Sequence, residues 1–322
     1  MHTEGTHSIE HLLHSIVVDS AHSEAVLREQ SETLRSMLST KGALLVRGLD
    51  SASRDDFLTA LKAIFGDAVL RPYHGGVGFK KDLGSAVYSS TEVPKSMEIS
   101  PHQEMAYLPS PPDHIAFFCH KAASAGGCTP LLCGQQLAEQ IDPDIRAAFE
   151  ERGVTYTRLY WAGGLGDANP LWMTWPKVFG SEDPREVEKR CASLGLDYAW
   201  KPQRRLQTRV TLPGVKRHPR TQQVVWSNQA HTFVPRPAQL GWGKYLMFRL
   251  AWAWPALRQA TAEFGDNTPI PGEMIDRIHT QMDAIKATFQ WEAGDLLVLD
   301  NHRMLHGREP YRGTREIWTA LF

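Results

Sequence analysis

Apolar residues fall along this chain in two patterns. Where they recur every three or four positions, the spacing predicts helices over 8–14, 23–38, 54–65, 143–151 and 182–194. The third of these is the clearest: Phe57, Leu58, Leu61 and Ile64 share one face, and Ser53 stands at the cap position. Elsewhere the apolar residues form short runs bounded by glycine, proline or polar turns, as buried strands do. Such runs predict strands over 42–48, 114–119, 209–212, 224–226, 288–291, 296–300 and 316–321. Strands at both ends of the chain, with helices before and between them, predict a mainly β fold with helical cover, a sandwich or jelly roll. No internal repeat and no low-complexity linker divides the 322 residues, so a single domain over 1–322 is expected. Within it, 1–40 is an N-terminal helical segment and about 135–205 a helix-and-loop insertion.

Composition narrows the class further. Thirty-five basic against 36 acidic residues leave no global field toward nucleic acid or an anionic membrane. The polar opening at Met1–Gly5 has no apolar signal segment after it, and no run reaches the ~18 apolar residues of a membrane helix. The four cysteines, Cys119, Cys128, Cys133 and Cys191, contain no CxxC pair and are expected as reduced thiols in a cytoplasmic protein. Ten tryptophans and 20 prolines suit a loop-rich β architecture with an aromatic-lined cavity.

The segment richest in chemistry is Ser100-Pro101-His102-Gln103-Glu104. On an extended segment, residues two apart share a face, so His102 and Glu104 would converge as an imidazole and a carboxylate. That is two thirds of a two-histidine, one-carboxylate facial triad, which leaves open positions on Fe(II). The chain holds three His-x-acid pairs, His2/Glu4, His22/Glu24 and His102/Glu104, where about one or two arise by chance. The first two lie in the polar N-terminal part and read as solvated surface. Far downstream, the buried strand 296–300 leads through a loop to His306, a third ligand delivered from a distant strand. Nine residues on, Arg315 opens the last strand, where a guanidinium can take the far carboxylate of a dicarboxylic cosubstrate in bidentate fashion.

Taken in order, His102-x-Glu104, Gly126-Gly127-x-Thr129-Pro130 and His306-Gly307-Arg308-x-Pro310-Tyr311-x-Gly313-x-Arg315 resemble the taurine dioxygenase (TauD/TfdA) family from about Gly42 to Phe322. The His-x-Glu form is similar to its branch of amino-acid oxygenases, SyrP-like proteins and, more distantly, clavaminate synthase. The resemblance implies a double-stranded β-helix (jelly roll, cupin-like) with His102, Glu104 and His306 on Fe(II). It also implies that Thr129 and Arg315 hold 2-oxoglutarate, and that O₂ is the oxidant, with succinate and CO₂ released. A carboxylate at position 104 leaves no room for a halide, so the resemblance implies hydroxylation, desaturation or epoxidation. The expected substrate is an amino acid or a derivative in natural-product biosynthesis, free or tethered to a carrier protein. Taurine dioxygenase carries a second arginine four residues after the first; Thr319 stands there in this chain, so a taurine-like sulfonate is not expected.

Other residues have plainer readings. Tyr73, Met105 and Tyr107 are candidate substrate contacts by proximity, and Asn228 and His231 by their place after strand 224–226. His7, His11 and His14 read as one exposed helical face, His302 as a neighbour of the site or surface, and Asp300 as a ligand-orienting residue or a turn start. Two other function classes are weighed: a hydrolase or isomerase using Zn²⁺ or Mn²⁺ in the same triad, which would not need Thr129 and Arg315, and a non-catalytic binding protein on the same fold, which an intact triad disfavours.

Overall fold

The computed structural model describes residues 9–50, 53–67, 70–76, 78, 80–162, 173–234, 241–252 and 259–322. Two facing sheets form its core. The larger has seven strands, in the order Leu13–Val17, Ala43–Arg47, Leu296–Asp300, His114–Lys121, Glu316–Leu321, Val87–Ser89 and Asp82–Gly84. The smaller has four, in the order Ala287–Phe289, Thr129–Cys133, Met304–Arg308 and Ile99–His102. Chain-distant strands lie side by side in both, the mark of a double-stranded β-helix.

The central strands of the larger sheet, Ala43–Arg47, Leu296–Asp300 and His114–Lys121, are buried on both faces, which explains why they read as unbroken apolar runs and not as alternations. Leu45, Ile115, Phe117, Leu297, Leu299 and Ile317 belong to the core shared with the smaller sheet, along with Leu131, Met304 and Leu305. The intervening Leu44, Val46, Ala116, Phe118, Leu296 and Val298 pack with Leu27, Leu34, Leu38, Phe57, Leu61 and Ile64 of the N-terminal helices. Helix Arg54–Phe65 forms as its pattern predicts, with a reciprocal capping box between Ser53 and Asp56.

The structure departs from the sequence pattern in several places. The helix expected over 8–14 is a single 3₁₀ turn, Ile9–His11, followed by strand Leu13–Val17, which pairs in parallel with Ala43–Arg47. Pairing at a sheet edge outweighs a helical pattern only two turns long. His11 and His14 therefore share no helical face, and His7, like the pair His2/Glu4, lies outside the described residues. The helix expected over 23–38 is two, Ser23–Glu29 and Ser31–Lys41, broken where Gln30 leaves helical geometry. Around the expected helix-and-loop insertion, the helices Gly134–Gln140, Pro143–Arg152, Trp175–Phe179 and Pro184–Ser193 do form. Strands form there too: Val154–Tyr160 and Asp197–Lys201 join Arg205–Leu212 and Ala260–Phe264 in a separate antiparallel sheet. Helix Gly272–Ile285, absent from the sequence reading, buries Ile275, Ile278, Met282 and Ile285 at helical spacing.

Candidate metal and cosubstrate site

His102 ends strand Ile99–His102, and its backbone register partner across the smaller sheet is His306 of Met304–Arg308. Their rings lie 4.8 Å apart, and Phe117 of the larger sheet meets the His306 ring edge-on at 4.9 Å. Gly307 follows because a Cβ there would run into the Ile99 carbonyl. Glu104 is not on the strand. It sits in a turn in which Met105 is left-handed, with φ 57°. The shared face expected from alternation therefore does not bring Glu104 to the histidines. Asn301 does: its side chain accepts from the Glu104 amide at 2.7 Å and donates to the Glu104 carbonyl at 2.9 Å, in place of a sheet ladder.

Nδ1 of His102 lies 2.9 Å from the Ser100 carbonyl, which only accepts. The ring is thereby oriented with a proton on Nδ1 and a lone pair on Nε2. Burial lowers the pKa of His102, and that of His306 far more, so both rings are neutral acceptors. Burial pushes the Glu104 carboxyl up, but the Lys80 ammonium beside it is the largest opposing influence and outweighs burial, so the carboxyl is held at about 2, as an anion. Lys80 and Glu104 form an almost fully buried pair at 2.9 Å, and Tyr73 donates to the other carboxylate oxygen at 3.2 Å. Burial, and then Glu104, raise the Tyr73 pKa well above its usual value, so the phenol remains a donor.

His102, Glu104 and His306 offer ligand atoms within 4.8 Å of one another, the one such set among the described residues. Two neutral imidazoles and one carboxylate fit a divalent transition metal with open positions. Nδ1 of His306 is buried without a hydrogen-bond partner among the described residues.

Beyond the triad the cavity is walled by Lys80, Thr91, Ile99, Phe117, Thr129, Arg308, Arg315 and Ile317. The Thr129 hydroxyl accepts from the Trp291 indole at 2.9 Å, so its own hydrogen is left to donate elsewhere. Arg315 donates to the Gly127 carbonyl at 3.3 Å through Nε. Gly126 and Gly127 both have positive φ, near 70°, which bends the chain so that this carbonyl meets the guanidinium. Burial and the neighbouring Arg308 lower the Arg315 pKa to about 10, which still leaves it cationic. Arg308 donates to the carbonyls of Thr91, Val93, Pro94 and Met97, so it clamps the loop over the cavity.

Toward the surface the triad opens into a cavity of about 270 Å³ lined by Tyr73, Tyr107, Ile99, Gln229 and Thr232 among others. Of the residues expected to touch substrate, Tyr73 and Tyr107 line it. Met105 packs into the core. Asn228 donates to the Gly214 carbonyl and accepts from the Ala230 amide, and Nε2 of His231 bonds the Pro101 carbonyl at 2.8 Å. Those three shape the site from behind its walls. Asp300 touches no member of the triad; it accepts from His218 and Arg220. His302 pairs with Asp113 at 2.8 Å. His22 and Glu24 are exposed. A larger groove of about 800 Å³, between residues 20–29 and 49–60, is open to solvent and distant in sequence from the triad. Lys80, Asn301 and Trp291 escaped sequence reasoning because lone residues of these types carry no spacing signal.

A jelly roll that presents two histidines, one carboxylate and a half-buried arginine to one cavity is what a non-haem iron oxygenase of the 2-oxoglutarate-dependent kind requires. The model of the family "Taurine catabolism dioxygenase TauD, TfdA family" matches residues 8–321, and the chain belongs to that family. Its cofactor is Fe(II), and its cosubstrates are 2-oxoglutarate and O₂. It is 31% identical to the dapdiamide synthesis protein DdaC of Enterobacter agglomerans, over 96% of this chain and 91% of that one. A clavaminate synthase-like protein of Arabidopsis thaliana is 26% identical, over 92% and 86%. Among solved structures, asparagine oxygenase with Fe(II), hydroxyasparagine and succinate has the same fold, with TM-score 0.55 and 14% identity over 92% of this chain and 79% of that one. No helix among the described residues is long and apolar enough to cross a membrane.

Proposed function

We propose that this dioxygenase oxidises an amino acid or amino-acid-derived small molecule in natural-product biosynthesis, in the cytoplasm. The site model under this reading has His102, Glu104 and His306 as the iron ligands, with Thr129 and Arg315 on the far carboxylate of 2-oxoglutarate. The observation that carries it is the pairing, in one cavity, of a His-Glu-His convergence with the half-buried cation Arg315. The name of the DdaC relative, a synthesis protein for dapdiamide, supports the substrate class.

Bound iron supplies activation of O₂ at the expense of 2-oxoglutarate, for attack on a substrate C–H or C=C bond. The chain's own part is positional. Tyr73 and Lys80 keep Glu104 ionised and fixed, and Asn301 fixes its backbone. Ile99, Phe117 and Ile317 keep the cavity apolar beside the histidines, which limits water there. Thr129 donates one hydrogen bond, and Arg315 supplies the charge.

The test is succinate release from 2-oxoglutarate over a panel of amino acids and N-acylated amino acids. Release should require iron and rise with one subset of the panel. Iron-independent release, or a rate that no member changes, would sink the reading. A second expectation concerns Asn301→Ala. It removes the contacts that hold Glu104 in its turn and leaves buried backbone groups unpaired. Stability should fall by about 1–3 kcal/mol, and iron affinity by about 10–100-fold, as for other supports of metal ligands. Urea melts and iron titration measure the two, and an unchanged iron affinity would show that the turn holds itself.

A further inference from the structure

We infer that Arg158 is the anchor for a free carboxylate on the substrate, so that the enzyme takes an amino acid as the free acid and not as a thioester on a carrier protein. The inference rests on the proposed amino-acid chemistry of the same site. Arg158 lies on strand Val154–Tyr160 of the insertion sheet, where every second residue is turned inward: Tyr156, Arg158 and Tyr160 are all buried. Those flanking tyrosines belong in a core. A guanidinium, 4% exposed, does not belong there without an anion.

Among the described residues Arg158 has no acidic partner, and both terminal nitrogens are buried with no hydrogen bond. Its plane carbon sits 3.7 Å over the Tyr107 ring and 5.0 Å from that of Phe233. The two rings lie against the guanidinium, and its two terminal nitrogens, without hydrogen bonds among the described residues, are the donors that a carboxylate would take. Tyr107 is itself a wall of the outer cavity, and Thr232, next to Phe233, is another. The cation therefore stands one ring behind the space in which a substrate would sit.

The other cations around this space are committed. Lys80 pairs with Glu104, Arg308 holds four carbonyls, and Arg315 faces the inner end with Thr129. Thr319 brings no charge and spends its hydroxyl on the Tyr88 carbonyl. Arg158 is thus the buried cation beside the outer cavity whose hydrogen bonds await a partner. A thioester has no carboxylate to offer it, whereas a free amino acid does.

The experiment compares wild type with Arg158→Met in the protein loaded with Fe(II) and 2-oxoglutarate, without oxygen. Free amino acids and N-acylated amino acids, and the methyl ester of each, are titrated while the iron-to-2-oxoglutarate charge-transfer band is followed. In wild type at least one acid should perturb the band, and its ester should bind about 30-fold or more weaker. In Arg158→Met the acid should weaken by a like factor, and the gap between acid and ester should close. The 2-oxoglutarate midpoint should not move. Thermal melting of the substrate-free protein supplies an independent reading. Removing an unpaired buried charge should leave Tm unchanged or higher, whereas a purely structural arginine would lower it by several degrees. Equal binding of acid and ester in wild type overturns the inference, as does an acid–ester gap that survives in the variant, a lowered Tm, or a panel in which no acid acts. Absence of the charge-transfer band from wild type itself would instead sink the oxygenase site model on which the inference rests.

Discussion

His306→Ala is expected to abolish both iron retention and turnover while the fold survives. The imidazole comes from the middle of the smaller sheet, paired in register with His102 and pressed against Phe117. No other described residue is placed to replace it. His302, four residues earlier, is held away by Asp113. With one histidine gone, His102 and Glu104 leave iron too few ligands to compete with water and with the Lys80–Glu104 ion pair. Glu104→Ala should act the same way, whereas Glu24→Ala, on an exposed helix, should stay within about 0.5 kcal/mol of wild type. Iron content after gel filtration and succinate release measure the effect, and far-ultraviolet circular dichroism reports the fold. Substantial activity in His306→Ala, with loss in His302→Ala, would reverse the assignment.

Arg315→Gln should raise the 2-oxoglutarate requirement steeply while leaving iron affinity almost unchanged. The cosubstrate carries two carboxylates, and iron neutralises one. The other would be buried in a cavity walled by Ile99, Phe117 and Ile317, where an unpaired charge is not tolerated. Losing one partner of a buried charge pair typically amounts to ~2–5 kcal/mol, or about 30-fold to several thousand-fold in affinity. Thr129→Val removes a single neutral donor and should matter less, about 1–3 kcal/mol. Anaerobic titration of 2-oxoglutarate into the iron-loaded protein, followed at the charge-transfer band, gives the midpoint directly. An unchanged midpoint in Arg315→Gln would mean that another cation holds the cosubstrate. Arg308 is poorly suited to that part, since its donors are engaged with the carbonyls of the 91–97 loop. Arg312 is exposed.

Much of this could be read before any coordinates. The apolar runs around Leu44, Phe117 and Val298 specify strands because a strand buried on both faces has no reason to alternate. The spacing of Phe57, Leu61 and Ile64 specifies a helix because one face must meet that sheet. His102, Glu104, Thr129, His306 and Arg315, which the fold brings to one cavity, were singled out by three motifs whose order resembles that of the TauD/TfdA family. Each of these is a local or linear property.

What the tertiary structure alone decided is the company those residues keep. Glu104 points at the histidines because Asn301, nearly 200 residues away in sequence, takes both of its backbone groups. Its charge is held by Lys80, and nothing in the sequence around Lys80 distinguishes it from a surface lysine. Leu13–Val17 is a strand because an edge was there to be paired, although its own residues form a helical pattern as readily. Asn228 and His231 prove to hold the backbone of neighbouring segments, and Arg158 to be buried without an acidic partner among the described residues. Hydrogen bonds and burial depend on which segments meet in space, and a linear pattern records only which face of its own element a residue occupies.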